Sequence, residues 1–206
     1  MTNKTLTSKT CPLQPLKVAC GSALLGALFS SSNLLAADVE TGVKAYDSGD
    51  YETALQHIPE LAKQGNATAQ LYLGYMYEYG HGMSQNIRTA AKWYLSAAQQ
   101  GHPSGQSYLG DMYLTGMGVK KNIMAAICWY TLAAEQGDSM AQHSLGEIYL
   151  MGHGVKVDEV SAYMWFSIAE NNGEDRGDLE ELSSVIDSRE IQLAQRKAQR
   201  WLAKYE

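Results

Sequence analysis

The four tryptophans of this chain stand 36 residues apart, at Trp93, Trp129, Trp165 and Trp201. Other residues keep the same beat: Gly74, Gly110 and Gly146; Leu73, Leu109 and Leu145; Tyr77, Tyr113 and Tyr149; Ala90, Ala126, Ala162 and Ala198. A fixed period of this length specifies a solenoid, because each unit is too small to bury its apolar face alone and must cover it against the next. Within a unit the apolar spacing is helical, so the expected class is all-α. Repetition also separates roles. A residue that recurs every 36 positions serves the fold, whereas one that breaks the pattern at an outward position is free to serve function.

The middle unit shows why each repeat reads as two helices. Gly105, Leu109, Met112 and Tyr113 form one stripe at i, i+4, i+7 and i+8. Gly116-Met117-Gly118 breaks the chain where glycines supply unusual backbone angles. Asn122 offers an N-cap. Ala126, Trp129, Tyr130 and Ala133 make the second stripe, and Gly137 sits where a C-cap glycine belongs. Full units are expected at 66–101, 102–137 and 138–173. They are flanked by a shortened N-terminal cap unit at 38–65, with His57 in the tryptophan position, and a C-terminal cap unit at 174–206. Asp187 and Glu190 resemble a capping box before a last helix with the stripe Ile191, Ala194, Ala198, Trp201 and Tyr205.

The first 37 residues differ from the rest. They carry Lys4, Lys9 and Lys17 without Asp or Glu, then an apolar run from Val18 to Phe29, then small residues ending in Ala36-Ala37. This order reads as a cleaved secretory signal, and the apolar run is shorter than the roughly 20 residues of a membrane-spanning helix. The mature chain would begin at Asp38 or Ala37, in a periplasm or beyond, with no stable membrane insertion. Losing the three lysines takes the net charge from −6 to −9. So acidic a chain argues against nucleic acid as a partner. Cys11 and Cys20 would leave with the leader, so Cys128 is expected to be a lone, partly buried residue without an internal disulfide.

The runs Ala141-Gln142-x-x-Leu145-Gly146-x-x-Tyr149-x-x-Gly152-x-Gly154-Val155 and Ala126-x-x-Trp129-Tyr130-x-x-Ala133-Ala134 resemble the Sel-1-like repeat, a branch of the tetratricopeptide-like solenoids. The resemblance spans Asn66–Gly173. It implies a right-handed superhelix of about five antiparallel helix pairs, a role in protein–protein contact, and no catalytic residues. Cysteine-rich secreted relatives that carry a β-lactam-binding or hydrolase label pair two cysteines per repeat. This chain lacks that pairing, so the label does not carry over.

No residue set points to chemistry. Gly80-His81-Gly82 and its two counterparts lack the third glycine and the preceding strand of a phosphate loop. Neither Ser-x-x-Lys, Gly-x-Ser-x-Gly nor Cys-x-x-Cys occurs. His57, His81, His102, His143 and His153 form no zinc motif. No cofactor or metal is expected. His143 and Glu147, four apart on one helix face, read as a surface hydrogen bond.

What remains is surface. In tetratricopeptide-like superhelices the first helix of each pair lines the concave groove. Stepping around it gives Leu71, Tyr75, Glu78 and Tyr79 in the first full unit, Ser107, Asp111, Leu114 and Thr115 in the second, and His143, Glu147, Leu150 and Met151 in the third. These positions vary between units, and tyrosines beside carboxylates suit a peptide with apolar anchors and a basic residue. The expected function is a monomeric, non-catalytic scaffold of the bacterial envelope that holds a protein or peptide in this groove. An accessory of envelope polysaccharide or peptidoglycan synthesis is the alternative, and a β-lactam-acting enzyme a remote one.

Overall fold

The computed structural model describes residues 29–174 and 177–205, with side chains from Asp38 onward. The expected leader therefore lies mostly outside the described residues, as do Cys11 and Cys20. Among the described residues the chain is all helix, arranged as successive antiparallel pairs. The pairs are α1 (Phe29–Asp47) with α2 (Tyr51–Lys63), α3 (Ala67–Tyr79) with α4 (Ile87–Gln99), α5 (Pro103–Thr115) with α6 (Ile123–Ala134), and α7 (Ser139–Met151) with α8 (Glu159–Asn171). Beyond these pairs, α9 (Asp178–Ser183) and α10 (Ser188–Tyr205) each pack against α8.

Helix limits follow from local chemistry repeated unit by unit. Asn66, His102 and Asp138 cap the first helices, each accepting a backbone N–H three residues on. Asn86, Asn122 and Asp158 do the same for the second helices. First helices stop at Gly80, Gly116 and Gly152, all left-handed. Gly118, two residues past such a stop, has φ +72°, and a Cβ there would lie 2.6 Å from the Ile87 carbonyl oxygen. The loop of one pair thus sits on the start of the previous pair's second helix, which only glycine permits. Before α10 half of the expected capping box forms: Glu190 accepts from Asp187 N, while the Asp187 carboxylate accepts from Arg189 N instead of Glu190 N.

Two aromatic series do different jobs. Tyr94, Tyr130 and Phe166 lie within a pair, each ring pressed onto Gly74, Gly110 or Gly146 of the facing first helix. The tryptophans cross between pairs. Trp93 joins the core shared with α2, Trp129 the core shared with α4, and Trp165 the core shared with α6. Trp201 meets Trp165 edge-on at 5.3 Å, which docks α10 onto α8. The central helix α6 is buried from Ala125 through Thr131, so its apolar surface is continuous and not the single stripe its spacing suggests.

A polar ladder runs through the same seams. Buried Gln70, Gln106 and Gln142 donate to the carbonyls of Ala62, Ala98 and Ala134 in the preceding pair. Each accepts in turn from the end of its own second helix, from Gln100, Gln136 and Asn172. Cys128 is buried, but the expectation that it stands alone is corrected: it is disulfide-bonded.

Candidate partner-binding face

The first helices do not expose every position that stepping around them selects. Leu71 is 4% exposed and belongs to the core with Ala91 and Trp129. Ser107 is buried, its hydroxyl donating to Asp138. His143 is buried as well, its Nε2 2.8 Å from Asp178 at the start of α9 and its Nδ1 3.8 Å from Glu147. The expected surface hydrogen bond of His143 is therefore an internal contact. At this second-turn position the next unit covers the helix, through Trp129 at Leu71, Asp138 at Ser107 and Asp178 at His143, so the three close seams and leave the groove set.

Further along each helix the side chains reach the surface. Tyr79 is 53% exposed and Met151 56%. Thr115 is exposed, while Leu114 and Leu150 are half-buried against the core. Tyr75 stands at the centre of a continuous aromatic patch. Its ring lies 4.9 Å from Tyr108, 5.4 Å from Tyr72, 5.8 Å from Tyr94 and 6.0 Å from Tyr46. His81 extends the patch, stacked on Tyr51 at 4.2 Å and facing Tyr79 at 5.5 Å. The Tyr46 hydroxyl meets His81 Nδ1 at 3.0 Å. Four helices and one loop present rings on this platform, and the buried Tyr94 of α4 backs it from the core.

Carboxylates border it. Tyr72 donates to Asp47 at 3.4 Å, Tyr94 to Glu78 at 2.5 Å, and Tyr130 to Asp111 at 2.5 Å. Burial raises the pKa of Asp111, and Glu78, Asp138 and Glu147 push it the same way, against the Tyr130 hydroxyl bond that lowers it. Asp111 thus feels the other acids along this face, the electrostatic signature of a negative row. Burial also raises the pKa of Tyr75 and Tyr79, each with a contribution from Tyr108. These phenols stay neutral, and their faces present π density beside negative charge.

The repeat profile of the Sel1 family matches residues 67–102, 103–138 and 139–174, more than half of the chain. The chain belongs to the Sel1 repeat family. A Sel1 repeat protein from Oxalobacter formigenes is 32% identical, with a TM-score of 0.66 over 75% of this chain and 67% of that one. A protective antigen of uropathogenic Escherichia coli strains with an SLR fold is 31% identical, with a TM-score of 0.76 over 85% of this chain. The present chain spans 39% of that antigen's length. No curated protein matches the chain. Sel1 repeats generally mediate protein–protein contact and are typically non-catalytic.

In this Sel1 protein the structure brings Tyr75, Glu78, Tyr79 and Asp111 together, while Glu147 and Met151 continue the face toward the C-terminal end. Sequence reasoning missed Tyr46, Tyr51, Tyr72, His81 and Tyr108 as parts of the platform, and buried Tyr94 as its support from the core. The available signal was composition: eight of the 13 tyrosines fall between Tyr46 and Tyr108. Among the described residues no group of three or more His, Cys, Asp or Glu is placed to hold a metal ion, and no helix is long and apolar enough to cross a membrane.

Proposed function

We propose that the protein is a non-catalytic adaptor of the bacterial envelope that binds a basic, extended segment of a protein partner across the tyrosine platform. The observation that carries this reading is the unbroken patch from Tyr46 to Tyr108 beside Glu78, Asp111 and Glu147. Tyrosine faces attract Lys and Arg side chains through cation–π contact, and the carboxylates supply the matching charge. The tyrosines also offer large contact area at small entropic cost. A synthetic peptide of alternating lysine and leucine tests it by calorimetry against its glutamine–leucine counterpart. The lysine peptide should bind more tightly and weaken as salt rises. The double variant Tyr79→Ser, Glu147→Gln should weaken it by about tenfold or more at low salt. Equal affinity for both peptides, or salt-independent binding of a glycan at the same tyrosines, sinks the basic-segment reading and favours the polysaccharide one.

Export is part of the proposal and rests on the basic, acid-free start and the apolar run before Ala36-Ala37. Helix α1 runs through that point, and among the described side chains Val39, Ala45 and Tyr46 pack into the core of the first pair. N-terminal sequencing of the exported protein should give Asp38 or Ala37. An intact Met1 in the membrane fraction contradicts it.

A further inference from the structure

The second-helix side of the molecule carries a site of opposite character. A cavity of about 300 Å³ opens between α6, α7, α8 and α10, a volume at the small end of ligand pockets. Its floor is apolar and aromatic: Leu145, Tyr149, Met164, Trp165 and Trp201. Leu145 and Tyr149 face away from His143 and Glu147 on α7, so this site is separate from the tyrosine platform. Its rim is basic. Lys197, Arg200 and Lys204 fall with Trp201 at i, i+3, i+4 and i+7, one face of α10.

The other polar groups are already engaged. Thr131 donates to the Ile127 carbonyl, and Ser161 donates to Asp158 through both its N–H and its hydroxyl. Glu135, the acid of the lining, accepts from the Tyr205 hydroxyl, which Lys204 also contacts. That link joins α10 to α6 across one edge of the cavity. Lys197 and Arg200 make no ion pair among the described residues. Three cations against one acid thus surround an aromatic floor, in a chain of net charge −6.

We propose that this cavity binds a small aromatic acid: a flat body of one or two rings against Trp165 and Trp201, with a carboxylate or sulfonate held by Lys197 and Arg200. Aromatic faces favour offset or edge-on ring contact, and an anion beside two cations gains charge-assisted hydrogen bonds that a neutral group lacks. A neutral ring compound would gain only the floor.

Naphthalenesulfonate and the neutral naphthalenemethanol serve as probes on the full chain, followed by calorimetry and by tryptophan fluorescence. The sulfonate should saturate one site and bind about tenfold or more tightly than the alcohol. Lys197→Gln with Arg200→Gln should abolish that preference and leave the melting temperature within about a degree, since the pair is near the surface. Tyr79→Ser, on the platform, should leave sulfonate binding unchanged. No saturable binding at concentrations on the order of a millimolar, equal affinity for the two probes, or an undiminished preference in the double variant overturns the assignment. Loss of sulfonate binding in Tyr79→Ser would instead place the probe on the platform and overturn it too.

Discussion

Replacing Gly110 by alanine tests the packing inside a unit. The new Cβ would lie 2.6 Å from Tyr130 Cε1, 2.7 Å from Cδ1 and 3.0 Å from Cζ. Carbon atoms rest at about 3.5–4.0 Å, so the ring must withdraw by roughly 1 Å. Tyr130 is 1% exposed and hemmed by Ala126, Ile127 and Leu145. Overpacking of this kind costs about 1–3 kcal/mol. Withdrawal also pulls the hydroxyl from Asp111, a bond to a charged group worth about 1.5–3 kcal/mol. Alanine's helix propensity returns about 1 kcal/mol. The net expectation is a loss of about 1.5–5 kcal/mol.

The control is Gly137→Ala. Gly137 has φ +85° with nothing within 4 Å of an added Cβ, so only left-handed strain of about 1–2 kcal/mol applies. Urea unfolding at constant m-value gives both numbers. Tyr130→Phe closes a cycle: it should cost clearly less in the Gly110→Ala background, where the hydroxyl has already left Asp111. If Gly110→Ala is no worse than Gly137→Ala, or the hydroxyl costs the same in both backgrounds, the ring does not depend on the glycine as argued.

Trp129→Ala should cost about 3–5 kcal/mol and more than Trp201→Ala, because Trp129 is 3% exposed between two units and Trp201 is half-buried at the end; denaturant melts of both decide it. Trp129→Phe should be milder than Trp129→Ala, since the buried Trp129 Nε1 has no hydrogen-bond partner to lose. For Asp111→Asn the sign follows from a folded pKa raised above its ordinary 3.8: the folded state binds the proton more tightly, so stability falls as pH rises from 3.8 through the folded value. The variant should be at least as stable as the parent at pH 7, the gap closing as pH drops toward 3.8; a variant clearly less stable at neutral pH contradicts this. His143→Ala should free α9 through loss of the Asp178 contact, giving faster amide exchange around Leu182 and unchanged protection in α3 and α4.

The fold was legible because its signals recur. Asn66, His102 and Asp138 each announce a helix start, and every second-helix glycine announces an end, so an error in one unit is corrected by the others. Burial of Leu71, Ser107 and His143 was not legible. A helical wheel describes one helix, and what covers these positions comes from the next unit. The platform was hidden for a different reason. Tyr46 and Tyr51 come from the shortened first pair, outside the 36-residue register, and only folding brings them against Tyr72 and Tyr75. Tyr75 and Tyr79 have Asp111 and Thr115 one period later, so they already stood out as non-recurring. Their neighbours did not.

The glutamine ladder bears on how such a chain can lengthen. Every rung has the same polarity: a carboxamide donates backwards to a carbonyl and accepts from the helix end ahead of it. Duplicating a complete 36-residue segment would add one donor and one acceptor that satisfy each other, leaving no orphaned group in the interior. Inserting or deleting a fraction of a segment would rotate a carboxamide away from both partners and strand it in apolar surroundings, at a cost of about 1–3 kcal/mol. Hydrogen bonding thereby makes array length a whole-number property, and relatives with longer arrays are reachable by tandem copying without redesign of any seam.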